Sequence, residues 1–208
     1  MASTTENIQP TRGELLRLKK RIDLAERGHE LLEEKRDALV TEMFDSLNLL
    51  KEKRENTQEA LSEAIEHMIK AKVVMGTLEL DDAAASSVRD IDLDVASRNI
   101  MGVNVPVVET EEEQNEERGY SLEQTSTKLD EAAEKFEEAL EAILDLAETE
   151  ESVKLLAQEI EKTKRRVNSL ENVLIPRLKE NKEYIEMRLE EQERENYFRL
   201  KRVKAKME

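Results

Sequence analysis

The chain contains no cysteine and no tryptophan, and only three phenylalanines, three tyrosines, five glycines and three prolines in 208 residues. Each scarcity removes a class of answer. Without cysteine there is no disulfide, no thiolate nucleophile and no cysteine-rich metal site, which fits a reducing compartment. Aromatics at 3% leave little bulky material for a wide globular core. Few glycines and prolines mean few turns, so the segments between turns must be long. No apolar run approaches the ~18 residues of a membrane span. The opening MASTTENIQP has neither the basic nor the apolar region of a secretory signal, so the chain reads as a soluble cytoplasmic protein.

What is abundant is charge. Asp and Glu number 49 against 33 Lys and Arg, a formal net charge of -16. A polyanion of this kind is a poor partner for nucleic acid, whose phosphates need a basic footprint. Alanine, glutamate, lysine, leucine and arginine with helical periodicity are the profile of long helices that bury a narrow seam and solvate the rest.

The periodicity supports that profile. Thr11 and Glu14 have the spacing of a capping box at a helix start. A stripe then runs Leu15, Leu18, Ile22, Ala25, His29, Leu32, Arg36, Leu39 and Met43, steps by four to Leu47, and continues through Leu50, Arg54, Thr57, Leu61, Ala64, Met68, Ala71 and Met75. The step is a stutter, which locally unwinds a left-handed supercoil. A helix over 11–75 would be roughly 100 Å long at ~1.5 Å per residue. Ser121 and Gln124 repeat the capping spacing, and a second stripe runs Leu122, Leu129, Phe136, Ile143, then Leu146, Val153, Ile160, Val167 and Leu174, with Leu156 and Leu170 interleaved. It carries on through Leu178, Ile185, Leu189, Leu200 and Val203, so a helix over 121–205 is expected. Pro176 lies inside it; a lost hydrogen bond and a crowded Asn172 carbonyl cost ~3 kcal/mol, which predicts a kink without a break.

Between the helices the period changes to two: Ile91, Leu93 and Val95 alternate with Asp92 and Asp94, and Val103, Val105 and Val107 follow Gly102. This reads as a hairpin with ASRNIMG as its loop, Pro106 marking an edge strand. The Ala-rich DDAAASS before it has no clear assignment. The acidic run at 111–117 reads as a solvated loop. The expected fold is all-α: a long antiparallel two-helix coiled coil of the N- and C-terminal helices, with a short β-hairpin at the turnaround. The regions are 1–75, 76–120 and 121–208. Folding back would bring both termini together, basic through Arg12, Arg17, Lys19, Lys20, Arg21, Arg199, Lys201, Arg202, Lys204 and Lys206, and leave Asp90, Asp92, Asp94 and Glu111–Glu113 at the opposite end.

Nothing here suggests catalysis or a bound metal or cofactor. His29 and His67 lie far apart with no cysteine to join them, and read as seam or surface residues. Charged neighbours such as Glu131 and Lys135 are what any exposed helix face carries. Gly13 and Gly28 lie in helical stretches, outside any phosphate-cradling loop, and suggest close approach of a neighbour.

Three stretches resemble one family: TRGELLRLKKRIDLAERGHELLEEKRDAL; NIMGVNVP with ERGY; and IEKTKRRVNSLENVLIPRLKENKEYIEMRLEEQERENYFRLKRVKAK. They resemble the D subunits that form the central rotor shaft of A-type and V-type ATP synthases. Residues 44–88 and 107–116 carry little of the likeness. The resemblance implies a non-catalytic shaft inside a hexamer of three A and three B subunits, with the turnaround end bound to the F subunit and resting on the C subunit. Rotation would couple ATP synthesis or hydrolysis to proton or sodium transport through a membrane ring, the chain lying peripherally on the cytoplasmic side of the membrane. Hexamer contacts are then expected at Arg12, Arg17, Lys20, Arg27, Arg165, Arg166, Arg188, Arg199, Arg202 and Lys204, and foot contacts at Ile91, Leu93, Val95, Val103 and Val105. A prefoldin-like chaperone or another coiled-coil scaffold is the alternative, but a chaperone needs apolar tips and this one reads as basic. A nucleic-acid-binding arm fits the net charge poorly.

Overall fold

The computed structural model describes residues 9–87, 93–110, 120 and 125–207. Helix α1 spans Arg12–Met75, α2 Thr77–Ser86, and strands β1 Leu93–Ile100 and β2 Val103–Thr110 form a hairpin. Helix α3 spans Thr127–Ser169, a π-helical turn Leu170–Leu174, and α4 Ile175–Met207. The chain divides into two compact units: Met1–Ala38 with Ile160–Glu208, and Leu39–Glu159.

Local chemistry sets the boundaries. The Thr11 hydroxyl accepts the Glu14 amide at 3.2 Å, as a capping residue should. Gly76 ends α1 at φ 94°, a left-handed conformation that favours glycine. Thr77 begins α2 directly after Gly76, so the DDAAASS stretch, left without assignment by the sequence, is helical through Ser86. The described second helix starts at Thr127, where the Ser126 hydroxyl accepts the Lys128 amide at 3.3 Å; Ser121 and Gln124 lie outside the described residues. Tyr120 donates to Asp130 at 2.7 Å, tying the ERGY tyrosine to the first turn of α3.

At Pro176 the helix changes register. The Ile175 amide donates to the Leu170 carbonyl, five residues back, just before the one residue that has no amide to give. The π-turn relaxes the ring's crowding of the preceding turn, and α4 runs on to Met207.

In the first unit, the start of α1 lies antiparallel to α4. Arg12 meets Glu193, Lys19 meets Glu186 at 3.0 Å, and Glu26 meets Lys179 at 2.8 Å. These rungs are seven residues apart on each helix, the spacing of a heptad seam. Leu18, Ile22, Thr163, Val167, Asn181 and Ile185 are buried in this unit. Among the described residues, Gly13 and Gly28 would meet nothing within 4 Å if given a Cβ, so none of these residues makes the close approach expected of them.

The second unit has a finer seam. Ala64 and Ala71 on α1, and Ala132 and Ala139 on α3, are buried at heptad spacing. Small side chains let polar groups reach across: Thr57 Oγ1 lies 3.1 Å from the Ala142 carbonyl, and Lys53 Nζ 3.3 Å from that of Asp145. Lys135 lies 3.7 Å from Glu63 and His67 3.5 Å from Glu131. Hydrogen bonding from Lys128, helped by the nearby charges of His67 and Lys70, holds the Glu131 carboxyl below its ordinary pKa.

The hairpin corrects the sequence reading. ASRNIMG is not a loop: β1 continues through Ile100, and the turn is Met101 and Gly102 alone, with φ of 51° and 87°. Two positive φ values in a two-residue connection match the twist of the flanking strands. The Asn99 carboxamide accepts the Gly102 amide at 3.0 Å and donates to Asn104 at 2.7 Å. Ile100 pairs with Val103, Arg98 with Val105, Ser97 with Pro106 and Val95 with Val108. Cross-strand partners share a face, so Leu93 and Val95 lie on the face opposite Val103 and Val105. The Val108 amide donates to Glu148 on α3 at 3.1 Å, fixing the hairpin to its own unit.

Candidate interaction surfaces

All ten basic residues expected at the hexamer, Arg12, Arg17, Lys20, Arg27, Arg165, Arg166, Arg188, Arg199, Arg202 and Lys204, are exposed and belong to the first unit. Helix geometry places carboxylates one turn away from several of them. Arg27 lies 2.9 Å from Asp23, Arg165 2.6 Å from Glu161, Arg188 3.0 Å from Glu191, Arg17 3.5 Å from Glu14 and Arg199 3.8 Å from Glu195. Arg188 also lies over the Tyr184 ring at 5.6 Å, and Tyr184, then Glu191, hold its guanidinium in the charged form. Exposed pairs of this kind are worth only ~0–1 kcal/mol, so they exchange partners readily.

The apolar part of this surface departs from the sequence reading. Leu200 and Val203 are expected on the seam, yet they are 69% and 55% exposed, and Tyr197, Phe198 and Met207 are exposed with them. The rung at Arg12 and Glu193 shows why: the first residues of α1 lie opposite Glu193, so the following turns of α4 have no described α1 residue to cover them. The signal lies in the unequal number of residues beyond the last heptad match. Leu16, Leu24 and Leu31 are exposed on α1 because they fall out of phase with the seam.

Of the expected foot residues, Ile91 lies outside the described residues. Val103 and Val105 are buried, at 8% and 1% exposure. Leu93 and Val95 are exposed at 41% and 60%. The strict alternation in both segments suggests one shared apolar face; the one-residue phase between them puts the two sets on opposite faces.

Among the described residues, no group of three His, Cys, Asp or Glu side chains is placed to hold a metal ion, and no helix is long and apolar enough to cross a membrane. The described surface is that of paired helices carrying exposed charged and scattered apolar groups.

Residues 14–205 match the family profile of the ATP synthase D subunit. The chain is 49% identical over 205 residues to the A-type ATP synthase D subunit of Methanobrevibacter smithii, covering 98% of this chain and 89% of that one. It is 50% identical over 203 residues to the same protein of Pyrococcus furiosus, covering 97% and 95%, and 49% identical over 204 residues to that of Methanopyrus kandleri, covering 98% and 88%. The chain belongs to the ATP synthase D-subunit family.

Proposed function

We propose that this chain is the central shaft of an A-type ATP synthase. It turns inside a hexamer of three A and three B subunits and joins the F and C subunits through its hairpin region. It passes energy between ATP synthesis or hydrolysis and proton or sodium movement through a membrane ring, while itself lying peripherally on the cytoplasmic side of the membrane. The observation that carries this reading is the antiparallel pairing of the two terminal segments, rung by rung at heptad spacing, in a member of this family. A shaft must carry torque without its helices sliding, and a phase-matched seam resists sliding. It must also turn in its bearing. The exchangeable ion pairs of the ten basic residues suit that, because no single docking position is strongly favoured. Leu93 and Val95, with Ile91, are the proposed contacts of the hairpin region with the F and C subunits.

The experiment is reconstitution with the A, B and F subunits and a bead attached through Met101→Cys, a unique cysteine at an exposed turn. Stepwise bead rotation during ATP hydrolysis is expected. A bead that stays still while an assembly shown to contain this chain hydrolyses ATP would refute the shaft.

A further inference from the structure

The hairpin is held to its unit in two different ways. Next to the turn it is held by burial, through Val103 and Val105. Towards its open end it is held by one hydrogen bond, from the Val108 amide to a Glu148 carboxylate oxygen at 3.1 Å. Among the described residues no other hydrogen bond or ion pair joins the hairpin to a helix. Ladder parity explains why that amide is free to leave the sheet. Ile100 and Val103 flank the two-residue turn and form a hydrogen-bonded pair. Antiparallel pairs alternate, so Val95 and Val108 form a pair whose backbone groups point away from the ladder. Pro106, the neighbouring outward position on β2, has no amide to give. A carboxylate bonds a backbone amide more strongly than a neutral acceptor does.

The rung that Glu148 grips carries Val95 on its other strand. Val95 and Leu93 are exposed, on the face opposite the buried Val103 and Val105. Val108 lies three residues beyond Val105, an arm of roughly 10 Å at ~3.3 Å per residue. A pivot of about 20° around Val105 would carry Val95 by roughly 3 Å on that arm, more than a close-packed contact tolerates. We propose that Glu148 is a positioning residue: it sets the tilt of the hairpin and thereby presents Val95 and Leu93 to the subunit they meet. This rests on the reading of those two residues as contacts with the F and C subunits. It goes beyond that reading by naming a residue of α3, outside the contact, on which the contact depends. Glu148 acts through an acceptor oxygen, so glutamine can take its place and alanine cannot.

Amide exchange and subunit binding of the full chain test this together, on the parent, Glu148→Ala, Glu148→Gln, Val95→Ala and the Glu148→Ala, Val95→Ala double variant. The Val108 amide is expected to be protected in the parent and in Glu148→Gln. In Glu148→Ala it should exchange roughly tenfold faster or more, with unchanged circular dichroism. Glu148→Ala should also weaken binding to the F or C subunit, whichever one Val95→Ala weakens, by roughly fivefold to tenfold, and Glu148→Gln should bind as the parent does. In the double variant the two losses should not add, because Glu148 acts on the partner only through the residue it presents. Unchanged exchange at Val108 in Glu148→Ala, a Glu148→Gln chain that behaves like Glu148→Ala, or fully additive losses would each overturn the proposal. If Val95→Ala weakens binding and Glu148→Ala does not, the positioning role alone fails. If Val95→Ala binds both subunits as the parent does, the contact reading fails and the positioning role falls with it.

Discussion

Thr57 and Thr163 are both buried in helix seams, with 7% and 0% of their surface exposed, but their hydroxyls fare differently. Thr57 Oγ1 lies 2.7 Å from the Lys53 carbonyl and 3.1 Å from that of Ala142. The Thr163 hydroxyl has no partner among the described residues. Replacement by valine, close in shape, should therefore have opposite signs: Thr57→Val lowers stability by about 1 kcal/mol, while Thr163→Val raises it by a similar amount. Urea unfolding of both variants checks this, and equal signs would contradict it. A similar contrast holds for glycine. A Cβ on Gly76 would lie 2.8 Å from the Glu79 carboxylate at a φ that disfavours any side chain, so Gly76→Ala should cost roughly 1–3 kcal/mol. Gly28 meets nothing within 4 Å, so Gly28→Ala should gain up to ~1 kcal/mol of helix propensity in the isolated chain. None of this is legible from residue type. Thr57 stands on the predicted stripe, but Thr163, Thr149, Asn181, Ala132 and Ala139 do not, because a search for large apolar residues passes over small and polar ones. They are buried because the seam of a helix pair is narrow and favours close approach.

At the scale of elements, the helices are easy to read and the hairpin is not. A stripe sustained over some sixty residues averages out local exceptions, which is why the first helix is expected over 11–75 and is found over Arg12–Met75. The hairpin offers only eight residues per strand, and Ser97, Arg98 and Asn99 show no alternation because β1 is exposed on both faces. With no apolar pattern to find, that half of the strand looks like loop. Pro176 is legible as a perturbation but not as a π-turn, since nothing in residue type reports a change of hydrogen-bond register. Because that turn already relieves the ring, Pro176→Ala should stabilise the chain by clearly less than the ~3 kcal/mol of an unrelieved helix proline; a full gain in denaturant unfolding would show that the π-turn relieves nothing. The Glu131 carboxylate, held chiefly by the Lys128 hydrogen bonds within α3 and lying beside His67 of α1, responds to acid. The Glu131 pKa is lowered in the folded chain, so its contribution is present above the ordinary carboxylate pKa and is lost as pH falls through the folded value. Glu131→Gln should therefore remove part of the stability present at neutral pH while leaving the acid end little changed, so that the pH dependence flattens, which thermal melts at several pH values would resolve.

At the scale of the molecule, a net charge of -16 coexists with the ten basic residues expected at the hexamer, all exposed and all in one unit. Replacing Arg199, Arg202 and Lys204 together by glutamine should leave the melting temperature of the isolated chain nearly unchanged, because all three are exposed. It should lower the ions pumped per ATP in reconstituted enzyme; unaltered pumping would remove these residues from the bearing. The identity of the family is legible in three motifs, whereas the burial of Val103 and Val105 is not, because it depends on a one-residue phase between strands. The rungs of the first unit hold one more consequence. Along α1 their signs read Arg12, Lys19, Glu26, and along α4 Glu193, Glu186, Lys179, so the polarity inverts at the third rung. Misalignment by a heptad in one direction would set Lys19 against Lys179, and in the other Glu26 against Glu186. Apolar residues repeating every seven cannot tell these alignments apart; the inverted rung can, and it proofreads the zipping of the terminal segments whichever way they err.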